Sequence, residues 1–423
     1  MNIQSTQALC PRTFFRIKNR LITALISVFC VLSISMSASA ANGSDQFGSV
    51  LAPLVEKIKH SPKSSVMVEA SADRAAFALR ENDALLPAST LKILTAYLAI
   101  QRWGLDHRFV TDFYIDRHTL WIKGYGDPYL VSEELILIQV ALQPYLEKQQ
   151  ITRIGVDTSA FPDVDLGRGD SDNPYDAGNA ALALNFNSIN LVRHQDQVVS
   201  AESQTPITSL AQQIGNEMGI GAKAKRVSLP GGRDMSARYF AEVFSAQVFN
   251  TELPIIIGQV PVTAPLVYQH ANSKNLEQVL VAMLKYSNNF IANQLFLMMG
   301  TDPSQPQITA SQLVTNAHQY VMETSKQAFG WDHYEVVDGA GLSRNNYLSA
   351  QQMMVLLDAF RPWRYLLPER NSHVQAKTGT LTGVRTYAGY YRDSADQWKT
   401  FVLMMNEQIA WRFRYAFADA LRE

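Results

Sequence analysis

Three short strings place residues that could perform acyl transfer in a fixed order along the chain. They are S-T-L-K at 89–92, S-N-N at 287–289 and K-T-G at 377–379. A serine hydroxyl is a poor nucleophile at neutral pH, so a neighbouring group must take its proton while the oxygen attacks a carbonyl carbon. A lysine three residues after a serine can be that group, because residues at this spacing share one face of a helix.

The residues after Ser89 are typical of an apolar helix that would hold Lys92 beside the serine hydroxyl. Leu94 and Leu98 continue an apolar stripe of helical period that stops at Gly104. A lysine acts as a base only when it is neutral, and burial together with a nearby cation lowers its pKa. We therefore predict that Ser89 is the nucleophile and that Lys92 is the base.

The other two strings contain groups for the remaining steps of such a reaction. Ser287 would relay a proton to the leaving amine, and Asn289 would hold the amide of the substrate. Lys377 would be the cation that lowers the pKa of Lys92, and it would also attract a carboxylate of the substrate. Together the strings predict a cleft for acyl transfer.

The third string is typical of the end of an edge strand, which would line this cleft. Gly379 would let a substrate backbone come close, because it has no side chain. The amide of Thr380 could pair with the amide of Ser89 as an oxyanion hole. The predicted substrate-binding residues of this strand are Lys377, Thr378, Gly379 and Thr380.

The order of the three strings resembles the serine–lysine set of penicillin-recognising enzymes. Further segments make the chain similar to the D-alanyl-D-alanine carboxypeptidase/endopeptidase family, the low-molecular-mass class C penicillin-binding proteins. These segments are G-Y-G-D-P-Y-L at 124–130, N-P-Y-D at 173–176, A-L-N-F-N at 183–187, D-G-A-G-L-S-R at 338–344 and K-T-G-T-L-T-G-V at 377–384. The stretch 351–375 lacks the G-x-D-G-T-L element that usually precedes K-T-G in that family.

The resemblance implies an α+β fold: a serine β-lactamase/transpeptidase-like catalytic domain, with an antiparallel sheet flanked by helices, and a β-rich inserted region. It implies a serine-type D-Ala-D-Ala carboxypeptidase or D,D-endopeptidase that acts through a Ser89 acyl-enzyme. Peptidoglycan stem peptides would be its partners, and β-lactams its inhibitors. We expect no cofactor, and no metal either, because the eight histidines lack the spacing of metal ligands.

Two charged residues in the family-like segments are candidates for binding the substrate. Arg344 follows a glycine-rich turn and could hold a substrate carboxylate by two parallel hydrogen bonds, or it could form a structural salt bridge. Asp127, before Pro128, could bind the ammonium of a diamino-acid side chain, or it could serve only as a turn residue.

The chain length between the first two strings predicts a folded insertion, because about 200 residues exceed what a helical lid needs. From about residue 107 the pattern changes to short strand-like runs separated by Gly-, Asp- and Asn-rich turns. We predict a catalytic domain made of 41–106 and 262–423, interrupted by one or more β-rich domains at 107–261. Helical periods follow over 276–299 and 311–327, then strands over 375–391 and 400–405, and a closing helix over 409–421.

The first 40 residues are predicted to be a secretory signal peptide. Four basic residues precede an apolar run at 21–36, and A-S-A at 38–40 gives a cleavage site before Ala41. An uncleaved anchor is the alternative, but the run is shorter than the roughly 20 residues that a membrane span prefers. Cys10 and Cys30 both lie in the leader, so we expect an exported, periplasmic protein without disulfides.

The charge of the predicted mature chain is ordinary. Removing the leader from 37 Lys+Arg and 38 Asp+Glu leaves 33 basic against 38 acidic residues, a net charge near −5. Nucleic-acid binding normally needs a basic face, so we expect no nucleic-acid partner. We expect no membrane association beyond a peripheral one.

Two other functions stay open from the sequence. A serine β-lactamase would use the same residues but requires fast deacylation, and the chain has a large insertion and no recognisable E-x-x-L-N string. The other alternative is a non-catalytic cell-wall-binding scaffold that keeps the three strings as a ligand groove.

Overall fold

Ten α-helices occur in the residues that the computed structural model describes, 48–164, 166, 171–302 and 308–422; the predicted signal peptide lies outside them. None of these helices is both long enough and apolar enough to cross a membrane. They are Leu51–Lys59 (α1), Lys92–Trp103 (α2), Ser132–Leu146 (α3), Ser209–Glu217 (α4), Arg233–Phe249 (α5), Leu276–Tyr286 (α6), Asn289–Met299 (α7), Ala310–Phe329 (α8), Ala350–Phe360 (α9) and Phe413–Ala420 (α10).

Fourteen β-strands of the described residues form three sheets. They are Ser64–Val68 (β1), Phe77–Leu79 (β2), Arg108–Asp116 (β3), Thr119–Gly124 (β4), Arg153–Asp157 (β5), Ser188–His194 (β6), Gln197–Ser200 (β7), Lys225–Ser228 (β8), Ile255–Ile257 (β9), Leu266–Asn275 (β10), Glu369–Arg370 (β11), Val374–Leu381 (β12), Val384–Arg392 (β13) and Trp398–Met405 (β14). Short 3-10 turns occur at Ala88–Leu91, Pro174–Asp176, Asn185–Asn187 and Arg361–Leu366.

The largest sheet is antiparallel and has the order β11-β12-β13-β14-β1-β2. The first strands of the chain join its last ones, since Val66 of β1 lies opposite Leu403 of β14. β11 pairs only with Val374 and Gln375, so residues 377–381 of β12 have no further strand beside them in the described chain. The end of β12 is therefore an edge strand, as predicted.

Both faces of this sheet are covered by helices. Val402 and Met404 pack into the core that contains α2, α6, α7, α8 and α9, whereas Phe401 and Leu403 pack into a second core with α1 and α10. Successive side chains of a strand point to opposite faces, which explains the alternation along β14. This helix–sheet–helix arrangement confirms the predicted α+β fold, in which an antiparallel sheet is flanked by helices.

A five-stranded sheet, β10-β3-β4-β5-β9, and a three-stranded sheet, β7-β6-β8, form the inserted region with a core of its own. β10 (Leu266–Asn275) pairs with β3, so the larger of these sheets extends past the predicted boundary at residue 261. β4 runs parallel to β5, and a parallel pair needs a long crossover connection, which contains α3.

The sequence analysis did not predict the helices α3, α4 and α5 of the inserted region. Helix α5 buries residues on several sides, including Ala237, Phe240, Val243 and Phe244. Glu242 and Ser245 are buried in the same helix, so apolar and polar residues are not separated onto two faces and the helical period is hard to detect. The inserted region therefore contains helices as well as the predicted strands.

Gly341 lies in a turn, residues 338–346, that packs directly against the 3-10 turn Ala88–Leu91. Its φ is +76°, and a Cβ there would lie 2.0 Å from the carbonyl oxygen of Ala88. Gly330, at the end of α8, also has a positive φ of +67° but nothing within 4 Å of an added Cβ. Both glycines therefore have a positive φ, but only Gly341 has no space for a Cβ atom.

We predict that Gly341→Ala destabilises the protein more than Gly330→Ala does. Both changes place alanine in a left-handed conformation, which costs about 1–2 kcal/mol. Gly341→Ala must in addition displace Ala88, the residue before Ser89. Urea unfolding of the two variants measures the difference, and equal losses would show that the turn yields without cost.

Candidate active site

Ser89 and Lys92 meet where a 3-10 turn becomes a core helix. Ser89 lies in the turn Ala88–Leu91, and Lys92 is the first residue of α2. Lys92 Nζ lies 3.0 Å from Ser89 Oγ. The same nitrogen donates to Asn289 Oδ1 at 2.8 Å and to the carbonyl oxygen of Ala340 at 2.7 Å.

The surroundings of Lys92 suit a neutral amine. Such an amine has two N–H groups for the two carbonyl oxygens and one lone pair that can accept the proton of Ser89. Lys92 is fully buried. Burial, and then the charge of Lys377, hold the pKa of Lys92 well below its ordinary value, while the nearby Asp338 acts in the opposite direction. The surroundings therefore favour the neutral form of Lys92, which its predicted role as a base requires.

A break between two helices positions Ser287 and Asn289. The sequence pattern predicts one helix over 276–299, but the structure has α6 and α7, with Ser287 between them in a left-handed conformation (φ 54°, ψ 37°). The side chain of Asn288 caps the start of α7. No glycine or proline marks the break, so the apolar helical period continues through it and conceals it.

Lys377 of K-T-G forms a hydrogen bond with Ser287 of S-N-N. Its Nζ donates to Ser287 Oγ at 2.8 Å and to the carbonyl oxygen of Thr378 at 2.8 Å. Burial, and then the charge of Arg414, lower the pKa of Lys377 to about 7. The site thus holds two buried amines, one on each of two serine hydroxyls.

Gly379 lets β12 pass close to the turn that carries Ser89. A Cβ on Gly379 would lie 2.1 Å from Thr386 Oγ1 and 2.9 Å from the carbonyl oxygen of Pro87. Thr386 Oγ1 itself donates to that oxygen at 2.8 Å. The missing side chain therefore serves the packing of β12 and β13 on the Ser89 turn, and its role toward a substrate backbone stays a prediction.

Sequence reasoning did not identify Arg414 as a residue of this site. Arg414 lies on α10, the closing helix, to which the sequence analysis assigned no part in the site. Its Nη1 donates to the carbonyl oxygen of Gly379 at 2.8 Å and to Thr380 Oγ1 at 3.0 Å. Thr380 is exposed and Thr378 is half-buried at the open edge of β12. A basic residue among the aromatic residues of the closing helix was the available signal.

Asp338 was also not assigned a role, although it shapes the turn that supplies one partner of Lys92. Its side chain is fully buried. A carboxylate that accepts several backbone N–H groups fixes a turn tightly, and this one fixes the Ala340 carbonyl beside Lys92. Its donors are the backbone nitrogens of Ala340, Gly341, Leu342 and Ser343 and the side chain of Asn346.

Arg344 and Asp127, the two charged candidates for substrate binding, lie in different parts of the structure. Arg344 Nη2 donates to the carbonyl oxygen of Thr382, just beyond the end of β12. Asp127 is buried in the inserted region, where it accepts from the backbone nitrogen of Tyr129 and from Asn272 Nδ2, and burial raises its pKa to about 6. No hydrogen bond within the described ranges joins Asp127 to the Ser89 cluster, and its binding of an ammonium stays a prediction.

Among the residues that the structure describes, no three His, Cys, Asp or Glu side chains form a group that could hold a metal ion.

A buried lysine on a serine hydroxyl, at the junction of a core helix and an antiparallel sheet, is the arrangement that acyl transfer by a serine–lysine pair requires. The D-Ala-D-Ala carboxypeptidase 3 (S13) family matches residues 51–228, 219–365 and 364–415. These matches cover most of the chain, and the protein belongs to this family.

Relatives and a solved structure agree with this assignment. The D-alanyl-D-alanine carboxypeptidase of Actinomadura sp. (strain R39) is 23% identical over 414 residues, covering 77% of this chain and 74% of the relative. The D-alanyl-D-alanine carboxypeptidase DacB of Haemophilus influenzae is 25% identical over 398 residues, covering 76% and 80%. The crystal structure of penicillin binding protein 4 from H. influenzae matches with a TM-score of 0.65 at 20% identity, covering 85% of this chain and 94% of that chain.

We predict that Lys92→Arg slows covalent labelling of the protein by a labelled penicillin about 100- to 10,000-fold, the usual contribution of a general base. Arginine keeps its proton, so it cannot accept the proton of Ser89. In the wild type, labelling should be fast at neutral pH and should fall as the pH is lowered through the depressed pKa of Lys92.

Lys285→Arg is the matched control, because this lysine is exposed on α6 and stacks on Tyr286. Its labelling rate should equal that of the wild type. Near-normal labelling of Lys92→Arg would assign Lys92 a purely electrostatic role.

Proposed function

We propose that this protein is an exported serine D,D-peptidase that hydrolyses D-Ala-D-Ala termini, D,D cross-links of peptidoglycan, or both. The main support for the proposal is the contact between Lys92 Nζ and Ser89 Oγ. The two atoms are 3.0 Å apart, and the Lys92 side chain is completely buried. Membership of the S13 family and the carboxypeptidase names of the relatives support the substrate class.

Acylation would begin with attack of Ser89 Oγ on the carbonyl carbon of the penultimate D-alanine. Lys92 takes the hydroxyl proton as the new C–O bond forms, because its lone pair faces Ser89. The developing negative charge on the carbonyl oxygen is stabilised by the amides of Ser89 and Thr380. The amide side chain of Asn289 holds Lys92 on one side and orients the substrate amide.

Departure of the amine requires a proton on its nitrogen. Ser287 Oγ relays to it the proton that Lys92 took from Ser89, so Lys92 is neutral again when the amine leaves. Lys377 Nζ donates a hydrogen bond to Ser287 Oγ at 2.8 Å and holds this hydroxyl in place for the relay. The C–N bond then breaks and leaves an ester on Ser89. Water then attacks the carbonyl carbon of this ester while the neutral Lys92 takes a proton from the water. The C–O bond to Ser89 breaks as Lys92 passes that proton to the Ser89 oxygen, which restores both residues.

β-Lactams would acylate the same serine, because their strained amide resembles the D-Ala-D-Ala bond. The solved penicillin binding protein 4 of H. influenzae complexed with a β-lactam, which has a TM-score of 0.61 to this chain, supports such binding. Export, with cleavage after Ala40, is part of the proposal because the substrate lies outside the cytoplasm. The basic and apolar pattern of the leader supports it.

We predict that Ser89→Ala abolishes covalent labelling by penicillin without changing the midpoint of urea unfolding, because only one hydroxyl is lost. Ser343→Ala, which changes a serine in the turn beside the site, should keep its label. Label that persists on another serine of Ser89→Ala would refute the assignment of the nucleophile.

Gel electrophoresis of the protein after labelling with penicillin distinguishes the proposed peptidase from the two alternatives, a β-lactamase and a non-catalytic scaffold. Stable labelling of the wild type is expected for a D,D-peptidase, whereas rapid loss of label would indicate a β-lactamase and complete absence of label a scaffold. Digestion of purified muropeptides, with mass analysis of the products, then shows whether termini or cross-links are cleaved.

Arg344 is proposed to bind the free carboxylate that a diaminopimelate-containing stem carries beside the scissile linkage. Its guanidinium already lies at the end of β12, on the carbonyl oxygen of Thr382. Arg344→Ala should weaken hydrolysis of such peptides by about 1.5–3 kcal/mol, the scale of hydrogen bonds to charged groups. Acylation by a simple penicillin, which lacks that carboxylate, should barely change.

Arg385→Ala is the matched control for Arg344. Arg385 also donates to backbone carbonyl oxygens of this hairpin, those of Leu381 and Val384, but it comes from β13. Kinetics of both variants on both substrates are compared. Equal losses of peptide hydrolysis and penicillin acylation in Arg344→Ala would assign it a structural role.

A further inference from the structure

Helix α3 has apolar side chains on its solvent-exposed side as well as on its buried side. The buried side packs into the core of the inserted region. Four large apolar residues on the opposite side are exposed to solvent: Ile136, Leu137, Val140 and Tyr145. Val140 is the most exposed of them, at 68%. A helix that is apolar on all sides is normally covered on all sides, so the exposed side of α3 is a surface that another molecule would cover.

Helix α4 of the same region shows the ordinary pattern for comparison. Its exposed positions are all polar: Ser209, Gln212, Gln213, Asn216 and Glu217. In contrast, the residues of α3 from 135 to 146 include no Asp, Glu, Lys or Arg. Single exposed apolar residues are common on protein surfaces, but a contiguous apolar patch is typical of an interaction site.

The exposed side of α3 has opposite charges at its two ends. Glu133, Leu137, Val140, Pro144 and Lys148 are all exposed, and Lys148 lies in the turn that follows the helix. Their spacing of four, three, four and four residues places them along one side of a helix. Val140 is near the middle, seven residues from Glu133 and eight from Lys148.

These two end charges are not neutralised within the chain. Glu133 accepts a hydrogen bond from the uncharged amide of Gln204 at 3.0 Å, and neither Glu133 nor Lys148 forms an ion pair with another described residue. Glu147, which precedes Lys148, accepts instead from Gln143 Nε2 at 2.9 Å on its own helix. An acidic and a basic side chain at opposite ends of an apolar stripe therefore remain available to a partner.

We propose that two copies of this protein associate through the exposed sides of their α3 helices, which lie antiparallel across a two-fold axis near Val140. The same patch of each copy forms a two-fold interface, so each residue faces one at an equal distance on the other side of the axis. Glu133 of one copy then lies beside Lys148 of the other, and this pair occurs twice. Leu137 and Val140 are covered by apolar residues of the second copy.

The charges favour a second copy over a lipid surface. Helices that lie on membranes usually carry Lys and Arg on their polar side, whereas Lys148 is accompanied here by Glu133 and Glu147. One helix face from each copy makes a small contact, and interfaces that bury less than about 1,200 Å² in total are weak. We therefore expect a reversible dimer, and this association does not depend on the proposed peptidase activity.

Sedimentation equilibrium between about 1 and 200 µM protein measures the association, and the wild type should dimerise with a Kd of about 1–100 µM. Val140→Lys places two like charges together at the axis and should raise the Kd about 100-fold or more. Val262→Lys is the matched control, because Val262 is a fully exposed valine in the loop between β9 and β10. Its Kd should stay within about twofold of the wild type.

Urea unfolding of both lysine variants shows whether each is folded. A wild type that stays monomeric at the highest concentration would contradict the proposal. A dimer that persists in folded Val140→Lys would also contradict it, because the association would then use another surface. Normal dimerisation of a protein that penicillin does not label would defeat only the proposed function.

The antiparallel arrangement is tested by reversing its end charges. Glu133→Lys and Lys148→Glu should each raise the Kd about 3- to 10-fold, because each places like charges side by side twice. The double variant restores opposite charges and should recover the Kd of the wild type. Failure of this rescue would overturn the arrangement.

A membrane is the alternative occupant, and flotation with vesicles made of equal parts of phosphatidylethanolamine and phosphatidylglycerol tests it. We expect no binding of the wild type that Val140→Lys abolishes. Binding with that property, by a protein that is monomeric in solution, would assign the exposed side of α3 to a lipid surface and overturn the dimer.

Discussion

Burial of the Lys92 amine beside Ser89 is the constraint on which the rest of the site depends. A charged ammonium without solvent would be strongly unfavourable there, so the surroundings must accept hydrogen bonds and favour the neutral form. Those acceptors come from α7 and from the turn 338–346, at 2.8 and 2.7 Å. The start of α7 and the turn 338–346 are therefore both tied to α2 through the nitrogen that lies beside the Ser89 hydroxyl.

The charges around Lys92 differ from those at the end of β12. On the side of Lys92, the buried carboxylate of Asp338 organises a turn and partly offsets the positive charges. On the side of β12, Lys377 and Arg414 leave positive charge without an acidic partner among their hydrogen bonds. The surroundings of Lys92 therefore favour a neutral amine, whereas the end of β12 lies beside two basic side chains.

The inserted region contributes to the site through α7. Asn289 Nδ2 donates to the carbonyl oxygen of Tyr175 at 3.1 Å, and Asn179 Nδ2 donates to the carbonyl oxygen of Phe290 at 3.0 Å. Gln294 Nε2 returns a bond to the carbonyl oxygen of Ala180 at 2.7 Å. These bonds hold the start of α7, so the insertion supports the amide that contacts Lys92 as well as forming sheets of its own.

The contact between Ser89 and Lys92 could be predicted from the sequence because their spacing is local, and the edge strand at 377–380 could be predicted from its own residues. The sequence also indicated the family through short segments. The contacts between strings 197 and 90 residues apart, the break at Ser287 and the position of Arg414 beside Gly379 could be seen only in the folded protein. Those depend on how helices and sheets pack against each other, and packing between distant segments leaves no periodic pattern along a single chain.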